Sequence, residues 1–500
     1  MLVKVIILAV FVIVTVGVGL YFQKRVNDVS GFVLGGRSVG PWLTAFAYGT
    51  SYFSAVIFVG YAGQFGWRFG IASTWIGLGN ALIGSLLAWL ILGKRTNQMT
   101  RKLGSSTMPE FFGQRYNSQG MKLASSAIIF IFLIPYTASL YNGLSRLFAM
   151  AFNIDYSVCI IAMALLTGVY VVAGGYVATA VNDFIQGIVM LGGIVAVIAA
   201  VLRVNGGFAA SMEALALVSD AETTSMNGAF ASFLGPDPLG LLSVTLLTSL
   251  GTWGLPQMVQ KFYAIKSEKA ISKGALISTV FAIIIAGGCY FLGGFGRLFA
   301  TPEVVARDGY DSIIPAMLSG MSPLLMGIIV ILVLSASMST LSALVLTSSS
   351  TLTLDFIKGH IIKEMDDKKQ LVFMRVLVVI FIAISCVIAL VQYSGGISFI
   401  AQLMGISWGA LAGAFLAPFL YGLYSKNISR ASVWCCFLFA VVLMVSNIFF
   451  RSSFPVIIQS PINCGAFTML TGLVIVPVVS LFTKKTEKDV VDNAFSCFSK

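Results

Sequence analysis

The sequence predicts an all-α membrane protein, and two observations support this fold class. The 500-residue chain is 58% hydrophobic and only 10% charged, and its mean hydropathy is +0.95. It also contains thirteen apolar stretches, each long enough to cross the ~30 Å hydrocarbon core of a bilayer as a helix. This composition excludes a soluble multi-domain protein.

The thirteen predicted spans are joined by loops, and no domain of appreciable size lies outside the membrane. We expect the first span to remain in the mature protein, because it lacks a small-residue cleavage site. The predicted spans are 2–21, 41–63, 72–93, 124–148, 157–177, 184–203, 239–260, 272–295, 322–350, 371–391, 397–424, 431–450 and 464–483.

Lysine and arginine collect in alternate loops, whereas the acidic loop 204–238 and the loop 297–320 fall on the other side. This positive-inside pattern predicts an outside N-terminus and a cytoplasmic C-terminus in the plasma membrane. The net charge of +12 therefore reflects topology and attraction to anionic lipid, and we expect no nucleic-acid partner. The basic segments are 24–37, 94–122, 261–273, 358–375, 426–430 and the tail from 484.

Motifs for enzymatic chemistry are missing from the sequence. It has no Walker, HExxH or nucleophile-elbow motif, and its seven cysteines form no CxxC pair. The single histidine, His360, lies in a charged loop. We therefore predict that the protein is not an enzyme and has no transition-metal site or histidine proton relay within the membrane.

A hydroxyl-rich strip at 335–350 interrupts one of the most apolar stretches. Such groups are costly in hydrocarbon unless they bind a ligand or bond within the protein. Oxygen ligands at helical spacing suit a hard cation such as Na⁺, while ordinary helix packing is the alternative explanation. At 100° per residue, one helical face carries Ala336, Ser339, Thr340, Ala343 and Thr347, and an overlapping face carries Ser335, Ser339 and Ser342.

Two predicted spans contain matching interruptions. A glycine followed by a threonine occurs near the middle of both, within 47–54 and 249–257, and the second segment adds Gly254 and Pro256. Interrupted helices at corresponding positions of two halves indicate a secondary-transporter site. Glycine that merely permits close helix packing is the alternative.

The matching interruptions lie five spans apart and therefore suggest two inverted five-helix repeats. We predict five regions. They are an N-terminal helix and first loop (1–40), the first repeat (41–203), an extracellular loop (204–238), the second repeat (239–425), and two C-terminal helices with a short tail (426–500).

Asp183 is an acidic residue at the start of the sixth span with apolar sequence on both sides. It could cap the helix, because a carboxylate satisfies free amide groups there. It could also bind a cation or act as an inner gate. The two roles are compatible.

The chain resembles the sodium/solute symporter family, which includes sodium/proline and sodium/pantothenate carriers. The resemblance covers essentially the whole chain and implies a LeuT-like, or APC-type, fold with thirteen helices. The matching segments are L-G-G-R-S-V-G-P (34–41), Ser51–Ser54, M-P-E-F-F-G-Q-R-Y (108–116), A-G-G-Y-V-A-T-A-V-N-D-F-I-Q-G (173–187), G-L-P-Q (254–257) and S-M-S-T-L-S (337–342).

The resemblance implies Na⁺ sites at defined positions. The shared site would use the backbone carbonyls of Thr50, Phe53 and Ala336 and the hydroxyls of Ser339 and Thr340. A second site, present in some members, would involve Asp183, Ser339 and Ser342. The family hydroxyl next to Ser342 is replaced by Ala343 here, which disfavours that second ion.

The solute-binding residues match the family less closely. Tyr136 matches a substrate-side tyrosine of proline carriers, but Tyr52 replaces their acidic residue, and Thr248 and Thr252 replace aromatic residues. Several stretches look closer to the pantothenate carriers. We predict that a small organic solute contacts Tyr52, Ser54, Tyr136, Thr252, Trp253 and Gln257.

These observations predict Na⁺-coupled symport by alternating access, in a protein that functions as a monomer. No lysine or arginine lies mid-span beside the interruptions, so an amino acid such as proline or a monocarboxylate such as pantothenate fits best. A proton-coupled carrier would need a titratable core group, a channel would need a polar ring along a pore, and a sensor would need a cytoplasmic output module. These three remain the alternatives.

Overall fold

The structure, a computed structural model, describes residues 2–23, 28–220, 223–358, 360–362, 364–394 and 400–498. Helices make up nearly all of the regular structure in these ranges, and isolated β-bridges are its only extended pairings. Some residues used in the sequence predictions lie outside the described residues. They are Lys24, Arg25, Glu222, Lys363, Lys500 and the predicted start of a span at 397.

The long helices are numbered here in chain order. They are α1 (Leu2–Gln23), α2 (Pro41–Tyr52), α3 (56–69), α4 (74–103), α5 (Gln119–Phe152), α6 (156–174), α7 (176–204), α8 (Pro238–Gly254), α9 (Pro256–Ala264), α10 (Glu268–Leu298), α11 (Pro323–Ile357), α12 (Asp367–Ser394), α13 (Ile400–Tyr424), α14 (Arg430–Phe449) and α15 (Pro461–Phe482). Shorter helices are Val29–Leu34, Met108–Arg115, Phe208–Ala216, Pro302–Asp308, Ile313–Leu318, Val456–Gln459 and Lys488–Phe495.

Ten helices in the described ranges are long and apolar enough to cross a membrane, or eleven when the bent pair α8 and α9 counts as one span. The predicted number of thirteen is not confirmed by this count. Helix α2 has only 12 residues, and the apolar part of α6, Tyr156–Val169, is also short. Helices α3 and α4 form a single helical run of 48 residues, Val56–Leu103.

Two glycines with non-helical backbone angles interrupt the chain between consecutive helices. Gly70, between α3 and α4, has φ 61° and ψ −143°, and Gly175, between α6 and α7, has φ 58° and ψ −162°. Residues with a Cβ atom rarely adopt these angles. At Gly70 a Cβ would also lie 2.1 Å from the Phe230 carbonyl oxygen. Both turns therefore depend on glycine.

The two predicted helix interruptions are confirmed, and they have the same backbone conformation. Helix α2 ends at Tyr52, where Phe53 has φ −94° and ψ 124°. Helix α8 ends before Leu255, which has φ −83° and ψ 122°, and α9 continues at an angle of 46°. Each extended residue lies four positions after a glycine, Gly49 or Gly251. The matched geometry is what two structural repeats would produce.

Helices α11 and α13 lie at the centre of the bundle. Within its most apolar window, α11 is 78% buried and α13 is 83% buried, whereas α1 is only 17% buried. The hydroxyl-rich strip of α11 is therefore enclosed by protein and shielded from lipid.

Helices α3 and α10 contact each other through their backbones, because a Cβ on Gly66 would lie 1.9 Å from the Gly293 carbonyl oxygen.

Candidate functional site

The five residues predicted to bind Na⁺ converge where α2 ends against α11. Ser339 Oγ lies 2.9 Å from the carbonyl oxygen of Thr50 and 3.1 Å from that of Ala336. Thr340 Oγ1 lies 3.3 Å from the carbonyl oxygens of Thr50 and Phe53, and 3.1 Å from that of Ala336. All five residues are buried.

The end of α2 explains why these carbonyl groups are available. The last carbonyls of a helix lack the N–H donors that continue the ladder, and the chain at Phe53 is extended. In the structure the hydroxyls of Ser339 and Thr340 donate to these carbonyls instead. The end of α2 therefore directs its backbone carbonyl oxygens at the face of α11 that carries Ser339 and Thr340.

The spacing of these oxygens suits a cation the size of Na⁺. Oxygen ligands held at ~2.4 Å from such an ion, at right angles, would be about 3.4 Å apart. The observed separations of 2.9 to 3.3 Å between the two hydroxyls and the carbonyls need little expansion. In the structure, the hydroxyl hydrogens attract the carbonyl oxygens. A Na⁺ bound here would attract the carbonyl and hydroxyl oxygens instead.

The residues suggested for a second ion have other neighbours. The Ser342 hydroxyl donates to the carbonyl of Ser339 in its own helix at 2.9 Å. Asp183 is 1% exposed, and neither carboxylate oxygen has a hydrogen-bond partner among the described residues. Asp183 interacts electrostatically with the buried ammonium of Lys261, without a direct hydrogen bond to it.

The position of Lys261 differs from the prediction. Lys261 was assigned to the basic loop 261–273, and no basic residue was expected near the interruptions. It lies inside α9, five positions after Pro256, and is only 3% exposed. Its ammonium nitrogen also lies 5.1 Å from the centre of the Tyr176 ring. The helix ends four residues later than the predicted span, and the apolar residues that follow Lys261, Phe262 to Ala264, were the available signal.

Three of the predicted solute residues are bonded to backbone groups in this structure. The Tyr52 hydroxyl donates to the Thr248 carbonyl at 2.9 Å and so links the two interruptions. The Thr252 hydroxyl donates to the carbonyls of Gly84 at 3.1 Å and Ser249 at 2.8 Å. Trp253 Nε1 donates to the Ile83 carbonyl at 3.0 Å, so its indole faces α4.

The other three predicted solute residues carry unpaired polar atoms. Ser54 Oγ, the Tyr136 hydroxyl and Gln257 Oε1 are buried without a well-formed hydrogen bond in the described part of the chain, although the Tyr136 hydroxyl lies close to Ser54 and Trp408. A bound ligand or water molecule would satisfy such groups. Tyr136 packs edge-on against Trp408, with ring centres 6.0 Å apart.

Four polar residues beside this group were missed by the sequence analysis. Trp408 also packs against Tyr52, with ring centres 5.6 Å apart, and Tyr290 lies within electrostatic range of Tyr52, Tyr61 and Tyr136. No hydrogen-bond partner within the described residues is found for the Tyr61 and Tyr290 hydroxyls, Trp408 Nε1 or Asn80 Nδ2. The only sequence signal was a polar or aromatic residue within an apolar run. The four residues are Tyr61, Asn80, Tyr290 and Trp408.

The space around the two interruptions is nearly closed. One cavity, lined by Tyr52, Phe53, Asn80 and Thr252, has a volume of about 10 Å³. A second, lined by Phe53, Ser54 and Ala336, is equally small. Each has room for about one water molecule. An organic solute can therefore enter only if the helices move apart.

The connection between α7 and α8 is held against the end of α10. Asp220 forms an ion pair with Arg297 at 2.9 Å and accepts a bond from the Thr223 hydroxyl at 2.6 Å. The Thr223 bond, followed by Arg297, lowers the pKa of the Asp220 carboxyl below its usual value. The Arg297 guanidinium also lies over the rings of Trp67 and Phe230.

A helical bundle with two matched interruptions and a converging set of oxygen atoms defines the class of secondary transporters. The fold is shared with solved structures. A Na⁺-coupled sialic acid symporter in a substrate-bound outward-open state matches with a TM-score of 0.76 at 16% identity, covering 97% of this chain and 99% of that one. Mhp1, a nucleobase-cation-symport-1 family transporter, matches with a TM-score of 0.53 at 15% identity, covering 93% and 97%.

The chain belongs to the sodium:solute symporter family, whose model matches residues 32–437. It is 30% identical over 422 residues to sodium/proline symporter 2 of Staphylococcus saprophyticus, covering 83% of this chain and 80% of that protein. It is 29% identical over 436 residues to the sodium/proline symporter of Staphylococcus aureus, covering 85% and 82%. The protein is thus a Na⁺-coupled symporter of a small organic solute in the plasma membrane, and it is not an enzyme.

Proposed function

We propose that this symporter takes up a small organic solute with a single carboxylate, such as proline or another amino acid, together with one Na⁺ in each cycle. The observation that carries this proposal is the convergence of Ser339 and Thr340 on the carbonyls of α2 at 2.9 to 3.3 Å. The ion would bind there and hold α2 against α11. The solute would bind beside it, at Tyr52, Ser54, Tyr136, Thr252, Trp253 and Gln257.

One ion rather than two is favoured by the surroundings of Asp183. A second Na⁺ at Asp183 and Ser342 would be repelled by the buried Lys261 ammonium, which already interacts electrostatically with the carboxylate. Two like charges in a poorly hydrated interior repel each other strongly. Ser342 also bonds its own helix, and Ala343 offers no further oxygen.

The thirteen-span topology remains part of the proposal. The helical run Val56–Leu103 has 48 residues, about 72 Å at 1.5 Å per residue, which is more than twice the ~30 Å thickness of the hydrocarbon core. Gly70 interrupts this run with non-helical angles, so α3 would complete a span begun by α2, and α4 would form another. Two five-helix repeats (41–203 and 239–425) then follow, in a monomer with an outside N-terminus and a cytoplasmic C-terminus.

The energy of one Na⁺ is sufficient for concentrative uptake. One charge crossing 100 mV contributes about 2.3 kcal/mol, and a tenfold Na⁺ gradient contributes about 1.4 kcal/mol. Together these correspond to roughly 500-fold accumulation of a solute without net charge. Coupling requires that Na⁺ and solute raise each other's affinity to the same degree.

Transport by the purified protein in liposomes tests this proposal. We expect labelled proline to accumulate under an inward Na⁺ gradient, with a Hill coefficient near one for Na⁺. Equal uptake in K⁺, or uptake in Na⁺-free buffer that a protonophore abolishes, would contradict Na⁺ coupling. A Hill coefficient clearly above one would instead restore the second ion at Asp183 and Ser342.

A further inference from the structure

A groove of about 570 Å³ lies between α6 and α12, on the outer surface of the bundle. Its walls are apolar, and small residues on both helices, Ala164, Gly168 and Ala383, leave the space open. About half or more of the surface of five lining side chains is exposed. These five are Ile161, Leu165, Val169, Val379 and Val387. Since exposed apolar side chains of membrane-spanning helices contact lipid, the groove opens to the bilayer.

The length of the groove matches one leaflet of a bilayer. Its lining runs from Ile161 to Val172 on α6 and from Val379 to Val387 on α12. At 1.5 Å per residue these segments are about 17 and 12 Å long, whereas half of the hydrocarbon core is ~15 Å thick. The groove therefore has the dimensions of a single acyl chain that extends from the headgroups towards the middle of the membrane.

Arg375 lies beyond one end of this groove, at the level of the lipid headgroups. It is the last charged residue before the uncharged run 376–394. As a helix this run is about 28 Å long, which nearly spans the ~30 Å hydrocarbon core. At 100° per residue, Arg375 lies one turn before Val379 and within about 20° of the groove residues Ile382 and Cys386. Arg375 and the groove therefore share one face of α12.

The guanidinium of Arg375 is not neutralised by the described part of the chain. Its Nε is enclosed by protein without a hydrogen-bond partner there, and none of the ion pairs between described residues includes it. Asp366 and Asp367 precede it by about 12 Å along the helix, and Asp366 accepts a bond from the Lys369 amide. A free guanidinium at headgroup level suits a phosphate, which it binds through two parallel hydrogen bonds.

We propose that an anionic phospholipid binds here, with one acyl chain in the groove between α6 and α12 and its phosphate at Arg375. The apolar groove accepts any acyl chain, so the guanidinium sets the preference between headgroups. Phosphatidylglycerol brings only a negative charge, whereas the choline of phosphatidylcholine brings a positive charge close to the guanidinium. The lipid would join α6 of the first proposed repeat to α12 of the second. The inference goes beyond the proposed function, because it involves neither Na⁺ nor the solute.

Thermal stability of the purified protein in detergent, titrated with lipid in buffer without Na⁺ or solute, tests this proposal. Phosphatidylglycerol and phosphatidylcholine with the same acyl chains are compared, and glycerol 3-phosphate serves as a headgroup without chains. We expect phosphatidylglycerol to half-saturate at a concentration at least about fivefold lower than phosphatidylcholine. Glycerol 3-phosphate should have no effect at these concentrations. Equal half-saturation by the two lipids, or equal stabilisation by glycerol 3-phosphate, would overturn the proposal.

Variants at Arg375 test the headgroup contact by a ratio that a general loss of stability does not change. Arg375→Gln should bring the half-saturating concentrations of the two lipids together. Lys102→Gln is the matched control, because Lys102 is an exposed basic residue at the end of α4, on the same side of the membrane in the proposed topology. It should keep the preference for phosphatidylglycerol. A preference that survives Arg375→Gln, or that Lys102→Gln also removes, would contradict the assignment of the phosphate to Arg375.

Filling the groove tests the site of the acyl chain. Ala383→Trp places an indole in the groove, so both lipids should half-saturate at a concentration at least about fivefold higher. Ile384→Trp is the control, because Ile384 is also exposed on α12 but does not line the groove. Unchanged lipid binding in Ala383→Trp would place the chain elsewhere and overturn the proposal.

Discussion

The candidate ion site and the candidate solute site meet at the end of α2 but differ in how their polar groups are satisfied. At the ion site, the Ser339 and Thr340 hydroxyls already bond the carbonyls that would bind Na⁺. At the solute site, Tyr136, Tyr290 and Trp408 have unpaired polar atoms and the nearby cavities hold about 10 Å³ each. The oxygens of the candidate ion site are thus already close together, whereas the candidate solute site is nearly closed.

This difference suggests an order of binding. Occupying the ion site requires only that hydroxyl hydrogens turn away, because the oxygens are already 2.9 to 3.3 Å apart. Occupying the solute site requires helices to separate. An ion that fixes α2 against α11 would lower the cost of that separation by holding one wall in place. Reciprocal coupling between the two ligands follows from such an arrangement.

The largest expected effect comes from removing both hydroxyls of the ion site. Each bond from a hydroxyl to a charged group contributes about 1.5–3 kcal/mol. The double variant Ser339→Ala/Thr340→Ala should therefore raise the half-saturating Na⁺ concentration by more than about 100-fold. The measurement is solute uptake by proteoliposomes as a function of Na⁺.

Ser349→Ala is the matched control for this prediction. Ser349 lies on the same helix, is fully buried, and donates to the Leu346 carbonyl of that helix. Its replacement should leave the Na⁺ dependence unchanged. If the double variant kept the original Na⁺ dependence while the protein was properly folded, the ion would have to bind elsewhere.

The next largest effect concerns Asp183 and Lys261. Both residues are buried and interact electrostatically without a direct ion pair. Leaving one buried charge without its compensating charge is strongly destabilising, whereas replacing both charges with neutral groups costs much less. Lys261→Met should therefore lower thermal stability strongly, and Asp183→Asn/Lys261→Met should recover most of the loss. A double variant as unstable as the single one would show that the two residues do not act as a pair.

The convergence of Ser339 and Thr340 on the end of α2 could be predicted from the sequence because these residues belong to two local patterns. Helical periodicity places Ser339 and Thr340 on one face of α11, and the Gly49–Thr50 pair marks the end of α2. The contact between these elements, 290 positions apart in the chain for Thr50 and Thr340, came from the family resemblance. Both sources agree in the structure.

The solute site could be predicted only in part, since its residues lie on helices distant in sequence. Trp408 and Tyr290 occur within apolar runs, where aromatic side chains usually only pack. The placement of Trp253 against α4 depends on the rotation of the short helical segment before Leu255, which periodicity does not fix. Lys261 was misplaced because helix ends are the least certain part of a sequence prediction.

A smaller effect is expected at the bond that links the two interruptions. Tyr52→Phe removes the hydroxyl that donates to the Thr248 carbonyl at 2.9 Å, a bond that contributes about 1 kcal/mol. The half-saturating solute concentration should rise about fivefold, with little change for Na⁺. Tyr116→Phe, which loses a similar bond to the Pro418 carbonyl, is the control. An equal effect on Na⁺ would mean that the two sites are not separable at Tyr52.

The smallest effect is expected at the connection between α7 and α8, which lies apart from both sites. The Thr223 hydroxyl and Arg297 lower the pKa of Asp220 in the folded protein, so its stabilising contribution is complete above the unfolded pKa of ~3.9 and is lost only as pH falls through the lower folded value. Hydrogen exchange of residues 223–237 should therefore be independent of protonation between pH 5 and 8, after correction for intrinsic rates. Asp220→Asn should raise that exchange throughout this range by a similar factor. A wild-type loop that loosened near pH 6 would show that another group controls the connection.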